Sequence, residues 1–188
     1  MSMYKANAKM TGHMCVAVKG PAPNWRAEYA AEGADVNQEI HEGSIISLND
    51  KGKFVLGCPA GSKGYRPMPM WSCKDISNAG VVQFGGNVFA GYYHGLVATG
   101  GFEIETSEFV PPASSSDKYG YNDLLKPAPG MAEGGKDEDL GKVTKAAVDA
   151  YGTTPIVGIV SRPPQTNNTC ECQTIRFWTM FLPAKAAN

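Results

Sequence analysis

Apolar residues along this chain are spaced as in strands, broken by turn-forming clusters. Ile45, Ile46 and Leu48 precede Asn49-Asp50-Lys51-Gly52, and Phe54, Val55 and Leu56 follow. Two β-rich runs around an Asn/Asp/Gly cluster predict a hairpin. Pro67 and Pro69 cannot donate to a ladder, so no central strand starts before Met70-Trp71. Residues 81–110 are β-branched and aromatic, with glycines at Gly85-Gly86, Gly95 and Gly100-Gly101. They predict two to four strands bent at those glycines. Inside this region FEIETSEF alternates. Phe102, Ile104 and Thr106 fall on one side, and Glu103, Glu105 and Ser107 on the other.

Residues 111–139 read as one long loop, rich in Ser, Pro, Gly and acidic residues. LGKVTKAAVDAYG is ambiguous: Leu140, Val143, Ala147 and Ala150 fit a helical stripe, while KVTK fits a strand. We read it as a strand start followed by a short turn. TPIVGIVS is a short continuous apolar strand, expected to be covered on both faces. RPPQTNNT reads as a connecting turn, and CECQTIRFWTMFLP as the final strand. There Ile175, Phe177, Thr179 and Phe181 share one side, and Arg176, Trp178, Met180 and Leu182 the other. Both sides are largely apolar, so the second side must also be covered, by this chain or another. Residues 1–40 differ from the rest. They have few aliphatics and no lasting periodicity beyond a helical turn around Arg26–Ala31. Such a segment is expected to lack order of its own or to be ordered by a partner. The chain therefore divides into an extended N-terminal arm, 1–40, and one β-rich domain, 41–188, with the long loop at 111–139.

Composition supports a mainly β fold with little helix. Gly (22) and Pro (13) are abundant and charged residues are only 19 %, a mixture ill suited to helices, where a Gly costs about 1 kcal/mol. At 188 residues one domain can bury roughly 70 % of its unfolded surface, so neither a metal nor a disulfide is required. A net charge of −1 and no Lys/Arg cluster argue against nucleic acid as a partner. No run approaches the ~20 apolar residues that span a bilayer. Met14–Val18 is shorter than the core of a secretion signal. The five cysteines, Cys15, Cys58, Cys73, Cys170 and Cys172, are accordingly expected as free thiols of a reducing cytosol. The sequon at Asn167 has no role there.

Catalytic signatures are sparse. Gly130–Lys136 matches a phosphate loop until Asp137, where a hydroxyl is needed, and is read as a flexible loop. Cys170-Glu171-Cys172 supplies two of the four ligands of a zinc site, so buried free cysteine is the preferred reading. His13, His41 and His94 are read as structural, although Cys58 with His94 could form a nucleophilic pair. Glu103 and Glu105 share a strand face as a glycosidase pair would, but alternating solvent-facing glutamates are commoner. Asp137-Glu138-Asp139 reads as a solvated turn.

The order of features resembles the capsid decoration (cement) proteins of tailed bacteriophages. The resemblance rests on the polar arm followed by GSIISLNDKGKFVLG, on PMPMW, on YGYNDLLKPAPG, and on GKVTKAAVDAYGTTPIVGIVSRPP with IRFWTMFLP, about two-thirds of the chain. It implies a compact β-barrel or β-tulip body and an arm or loop lying on the major capsid protein. It implies no catalysis, cofactor, metal or membrane, and clustering as trimers ahead of dimers. Such a protein is made in the host cytoplasm and resides on the capsid exterior. The insert around Gly57–Pro69 and the five cysteines depart from the pattern. Expected capsid-facing anchors are Trp25, Tyr29, Tyr119, Tyr121, Leu124 and Leu125, and expected self-association residues are Trp178 and Met180. Two alternatives are another virion component of tail-tube or baseplate type, and a small Cys/His hydrolase.

Overall fold

The computed structural model describes residues 15–19, 24–28, 41–50, 54–59, 67–72, 83–84, 87–88, 92–97, 103–130, 133–147, 155–168 and 171–182. The fold is mainly β, with no α-helix among the described residues. Asp137–Asp139 forms a short 3-10 turn. In chain order the strands are β1 (Cys15–Lys19), β2 (Asn24–Glu28), β3 (Ile45–Leu48), β4 (Phe54–Leu56), β5 (Met70–Ser72), β6 (Gln83–Phe84) and β7 (Asn87–Val88). They continue with β8 (Tyr92–Val97), β9 (Glu103–Thr106), β10 (Leu124–Pro127), β11 (Val143–Lys145), β12 (Ile156–Asn167) and β13 (Cys172–Leu182).

Two antiparallel sheets hold most of these strands. One has the order β1-β9-β13-β12-β10-β11, the other β2-β8-β5-β3-β4, and β6 and β7 pair apart. One further contact is made at the β11 edge of the larger sheet. Beyond β9 the chain reaches Phe109, which bridges in parallel to Val143 on β11. Val110 donates its N–H to Val143 O and Val143 donates to Glu108 O, at 2.8 and 3.1 Å. The segment after β9 thus covers part of the β11 edge of this sheet.

The hairpin expected around residues 49–52 is present, with Ile46 opposite Leu56 and Leu48 opposite Phe54. The alternation of FEIETSEF also holds: Ile104 and Thr106 join the core side, while Glu103 and Glu105 pair with Trp178 and Arg176. Val143–Lys145 is the strand expected there. The core is one cluster filled from both sheets, with Ile45, Cys58 and Trp71 meeting Ile104, Leu125, Val157, Ile175 and Phe177. The Trp71 and Phe177 rings lie 5.6 Å apart and tilted, in the range where aromatic pairs add to simple burial.

Several expectations are corrected. The segment 111–139 is not one loop, because Leu124–Pro127 forms β10 between β12 and β11. LLKP lacks β-branched residues, and its strand conformation comes from its two neighbours. RPPQTNNT is not a turn: β12 runs on to Asn167. The ladder to β13 skips both prolines, its register shifting between Arg162 and Gln165, so neither missing N–H is called upon. On the other side, β10 pairs only as far as Ile159. Gly95 is no bend but lies within β8. Arg26 is in strand β2, not a helical turn. Within the expected arm, β1 pairs with β9 and β2 with β8, each as the outermost strand of its sheet. The chain's own sheets therefore order these two stretches. Cys172 is disulfide-bonded rather than a free thiol, whereas Cys58 is a buried cysteine outside any disulfide.

Two glycines are set by close approach. At Gly141 the backbone has φ +86°, and a Cβ would lie 2.4 Å from Leu56 Cδ1. At Gly158, between β10 and β13, a Cβ would stand 2.5 Å from Phe177 Cδ2 and 3.0 Å from Trp178 O. Replacement Gly158→Ala is expected to cost about 1–3 kcal/mol by overpacking, read as a lower urea midpoint. An unchanged midpoint would show that Phe177 can yield.

Candidate functional site

Strand pairing aligns two rows of side chains across the outer face of the six-stranded sheet. Leu124 lies opposite Ile159, Ile159 opposite Trp178, and Trp178 opposite Glu103. One step along, Arg162 lies opposite Arg176, and Arg176 opposite Glu105. The first row is largely apolar and partly open: Trp178 is 39 % exposed, and Leu124, Ile159 and nearby Met180 are half-buried.

The second row is a charge cluster. Directly opposed arginines on neighbouring strands repel each other, and Glu105 resolves the conflict. Its Oε1 accepts from Arg162 Nη2 at 2.5 Å, Asn167 Nδ2 at 2.6 Å and Thr174 Oγ1 at 2.7 Å. Its Oε2 accepts from Arg176 Nη2 at 2.6 Å. Burial alone would raise the Glu105 carboxyl. Hydrogen bonds from Arg176, Thr174, Asn167 and Arg162 overcome that effect and hold its pKa down, from 4.5 to about 2. Glu103 accepts from the Ser161 hydroxyl.

These glutamates are not solvent-facing: Glu103 is 5 % and Glu105 4 % exposed. The pairing that buries them joins residues about sixty positions apart in the chain, which no local pattern announces. Nor does Glu105 suit glycosidase chemistry. An acid catalyst needs a raised pKa, and both of its oxygens already receive donors.

The other candidates are dispersed. Cys58 sits in the hydrophobic core, where a thiolate is disfavoured. His94 lies on β8 opposite Arg26. Cys172, in a disulfide, supplies no thiolate to a metal. Among the described residues no group of three or more His, Cys, Asp or Glu side chains is placed to hold a metal ion, and no helix is long and apolar enough to cross a membrane. Within Gly130–Lys136, the described residues Glu133 and Gly135 both donate their N–H groups to Gly130 O, at 2.9 and 3.0 Å. Asp137 and Glu138 are exposed as expected.

Of the six expected anchors, Tyr119 and Leu125 belong to the core. Tyr119 packs edge-on against Phe109 and donates to Val110 O at 2.7 Å. Burial pushes its hydroxyl pKa up to about 12. Tyr121 is 67 % exposed at the tip of a turn. Asp123 fixes that turn by accepting Gly120 N–H at 2.6 Å and pairing with Lys145 at 2.8 Å. Asn122, with φ 67°, donates to Val160 O at 2.9 Å. Leu124 shares its row with Trp178. Trp25 lies on β2 opposite Gly95; its side chain, and all of Tyr29, fall outside the described residues. Periodicity alone put Arg176 and Trp178 on one side of β13; the partners Arg162, Asn167 and Thr174 had no signal in the sequence. Comparison of the chain with protein-family models, curated proteins and solved structures finds no match.

Proposed function

We propose that this chain is a structural virion protein that decorates the outside of an assembled tailed-phage head and braces neighbouring subunits of the major capsid protein. The observation that carries this reading is the partly open apolar row Leu124–Ile159–Trp178, which lies on a rigid sheet rather than on a loop. Trp and Arg are the residues most often found at the energetic centre of interfaces. Here Arg176 and Trp178 stand side by side, with Tyr121 exposed on its own turn. The carboxylate that could do chemistry is instead tied into the sheet. A decoration protein needs only ordinary contact area at each site, roughly 1,200–2,000 Å², because repetition over the shell multiplies weak contacts. Clustering in trimers ahead of dimers remains part of the proposal.

Cryo-EM of the particle whose genome encodes the chain provides the test. The two-sheet body is expected as repeated density on the outer head surface, at threefold or twofold positions. Density confined to the tail, or none on the particle, would overturn the proposal.

A further inference from the structure

Cys172 opens β13 directly opposite Asn167, the last residue of β12. It is in a disulfide, and its place in the sheet decides which of the other cysteines can be its partner. Cys58 lies in the core outside any disulfide. Cys15 pairs with Thr106, and Thr106 with Ile175. Two ladder spacings, roughly 9.5 Å, therefore separate Cys15 from β13, and Cys172 stands further along that strand than Ile175. A disulfide needs Cα atoms within about 7 Å of each other. Cys73 follows Ser72, the end of β5 in the smaller sheet. That sheet meets the larger one on the Phe177 side, through Trp71. Alternation along β13 puts Cys172 on the other side, with Thr174 and Arg176, which bond Glu105. Cys170 is left, across the single residue Glu171. Glu171 has φ 54°, the left-handed conformation, which brings a residue's two neighbours closer together than extended chain does.

We infer that Cys172 is bonded to Cys170 and that this bond, at the tip of the β12–β13 hairpin, is a redox site that exchanges with small thiols in solution. Asn168 and Glu171 at the tip are exposed and Cys172 is half-buried, and exposed disulfides are the labile ones. In the exchange the thiolate of a small thiol attacks one sulfur, forms a mixed disulfide and releases the other cysteine as a thiolate, which takes up a proton. A second small thiol attacks the mixed disulfide in the same way. The chain gains two electrons and two protons as two cysteine thiols, and the small thiols leave as their disulfide. The reverse steps close the bond, with a small disulfide as the oxidant. The site also borders the charge cluster, because Asn167, opposite Cys172, donates to Glu105. On this reading the bond is open in a reducing cytosol and closes in oxidising surroundings. The inference stands apart from the virion reading above.

Fragment mapping of the full-length protein, first equilibrated with oxidised glutathione, tests the pairing. Thiols are capped without reduction, the chain is unfolded and cleaved after glutamate, and the fragments are weighed. Cleavage after Glu138 and Glu171 gives a fragment 139–171 whose one cysteine is Cys170 and a fragment 172–188 whose one cysteine is Cys172. The two are expected as a single species that separates on reduction. Fragment 172–188 joined to one carrying Cys15 or Cys73, or found with its thiol capped, overturns the pairing. Exchange is tested by treating the oxidised, folded protein with reduced glutathione and then capping. Caps are expected on Cys170 and Cys172 while Cys58, in the core, stays uncapped. Caps that reach the pair only together with Cys58 would show that the bond opens by unfolding alone, and a pair never capped that it does not exchange; either result overturns the redox site.

Discussion

Glu105→Gln is expected to destabilise the protein by about 3–5 kcal/mol, the cost of removing one partner from a buried ion pair. For a chain of this length that lowers the melting temperature by roughly 10 °C. The cost arises because Arg162 and Arg176, directly opposed on adjacent strands, would lose the anion that separates their charges. The same carboxylate gives the protein an acid limit. Its pKa in the folded state lies below the ordinary value, so the folded form is favoured by the ionised group. That contribution is fully present above pH 4.5 and drains away as the pH falls through about 2. Wild-type stability should therefore drop over this window, and the Glu105→Gln variant should show a flatter profile there. Glu105→Leu combined with Arg162→Met and Arg176→Leu should recover much of the loss, since apolar replacement of a whole buried ionic group is often neutral. Urea unfolding at pH 7 and pH 3 measures all three proteins. A Glu105→Gln variant as stable as wild type at pH 7 would mean that the cluster holds nothing together.

Phe177→Ala is expected to cost about 3–5 kcal/mol, the usual range for emptying a large aromatic site. Phe177 is fully buried. It packs against Trp71 of the smaller sheet, lies opposite Ile104 on β9 and Val160 on β12, and walls the space beside Gly158. One truncation thus loosens both the contact between sheets and the packing around Gly158. Denaturant unfolding should show a lower midpoint with an unchanged slope. A shallower slope would instead mean that the two sheets unfold separately.

What the sequence disclosed follows from the range of each interaction. The hairpin of β3 and β4 and the two sides of β13 could be read, because turn chemistry and side-chain alternation act between residues a few positions apart. The burial of Glu105 could not. Its partners come from β12 and β13, and alternation alone makes a glutamate next to isoleucine look solvated. β10 was missed for a related reason: LLKP is held by β11 and β12 and carries little strand preference itself. Pro163-Pro164 carried the opposite error. Proline is a strong turn signal in isolation, yet a register shift lets both residues ride in a long strand. Among the surface residues, the exposure of Trp178 fits the side of β13 opposite Phe177. Tyr119 and Tyr121 are two positions apart and were expected to face out together, but Tyr119 turns inward onto Phe109. Leu125 alternates with Leu124 on β10 and turns inward too.

The paired prolines have a consequence for handling the protein at high concentration. Past Ile159, β12 has no strand beside it on the β10 side among the described residues. A bare flank of that length would invite another molecule to zip onto it and start a fibre. Without amide hydrogens at positions 163 and 164, and with the backbone stepped out of line there, such growth finds no continuous template. Concentrated solutions of the protein are then expected to resist fibre growth through this flank.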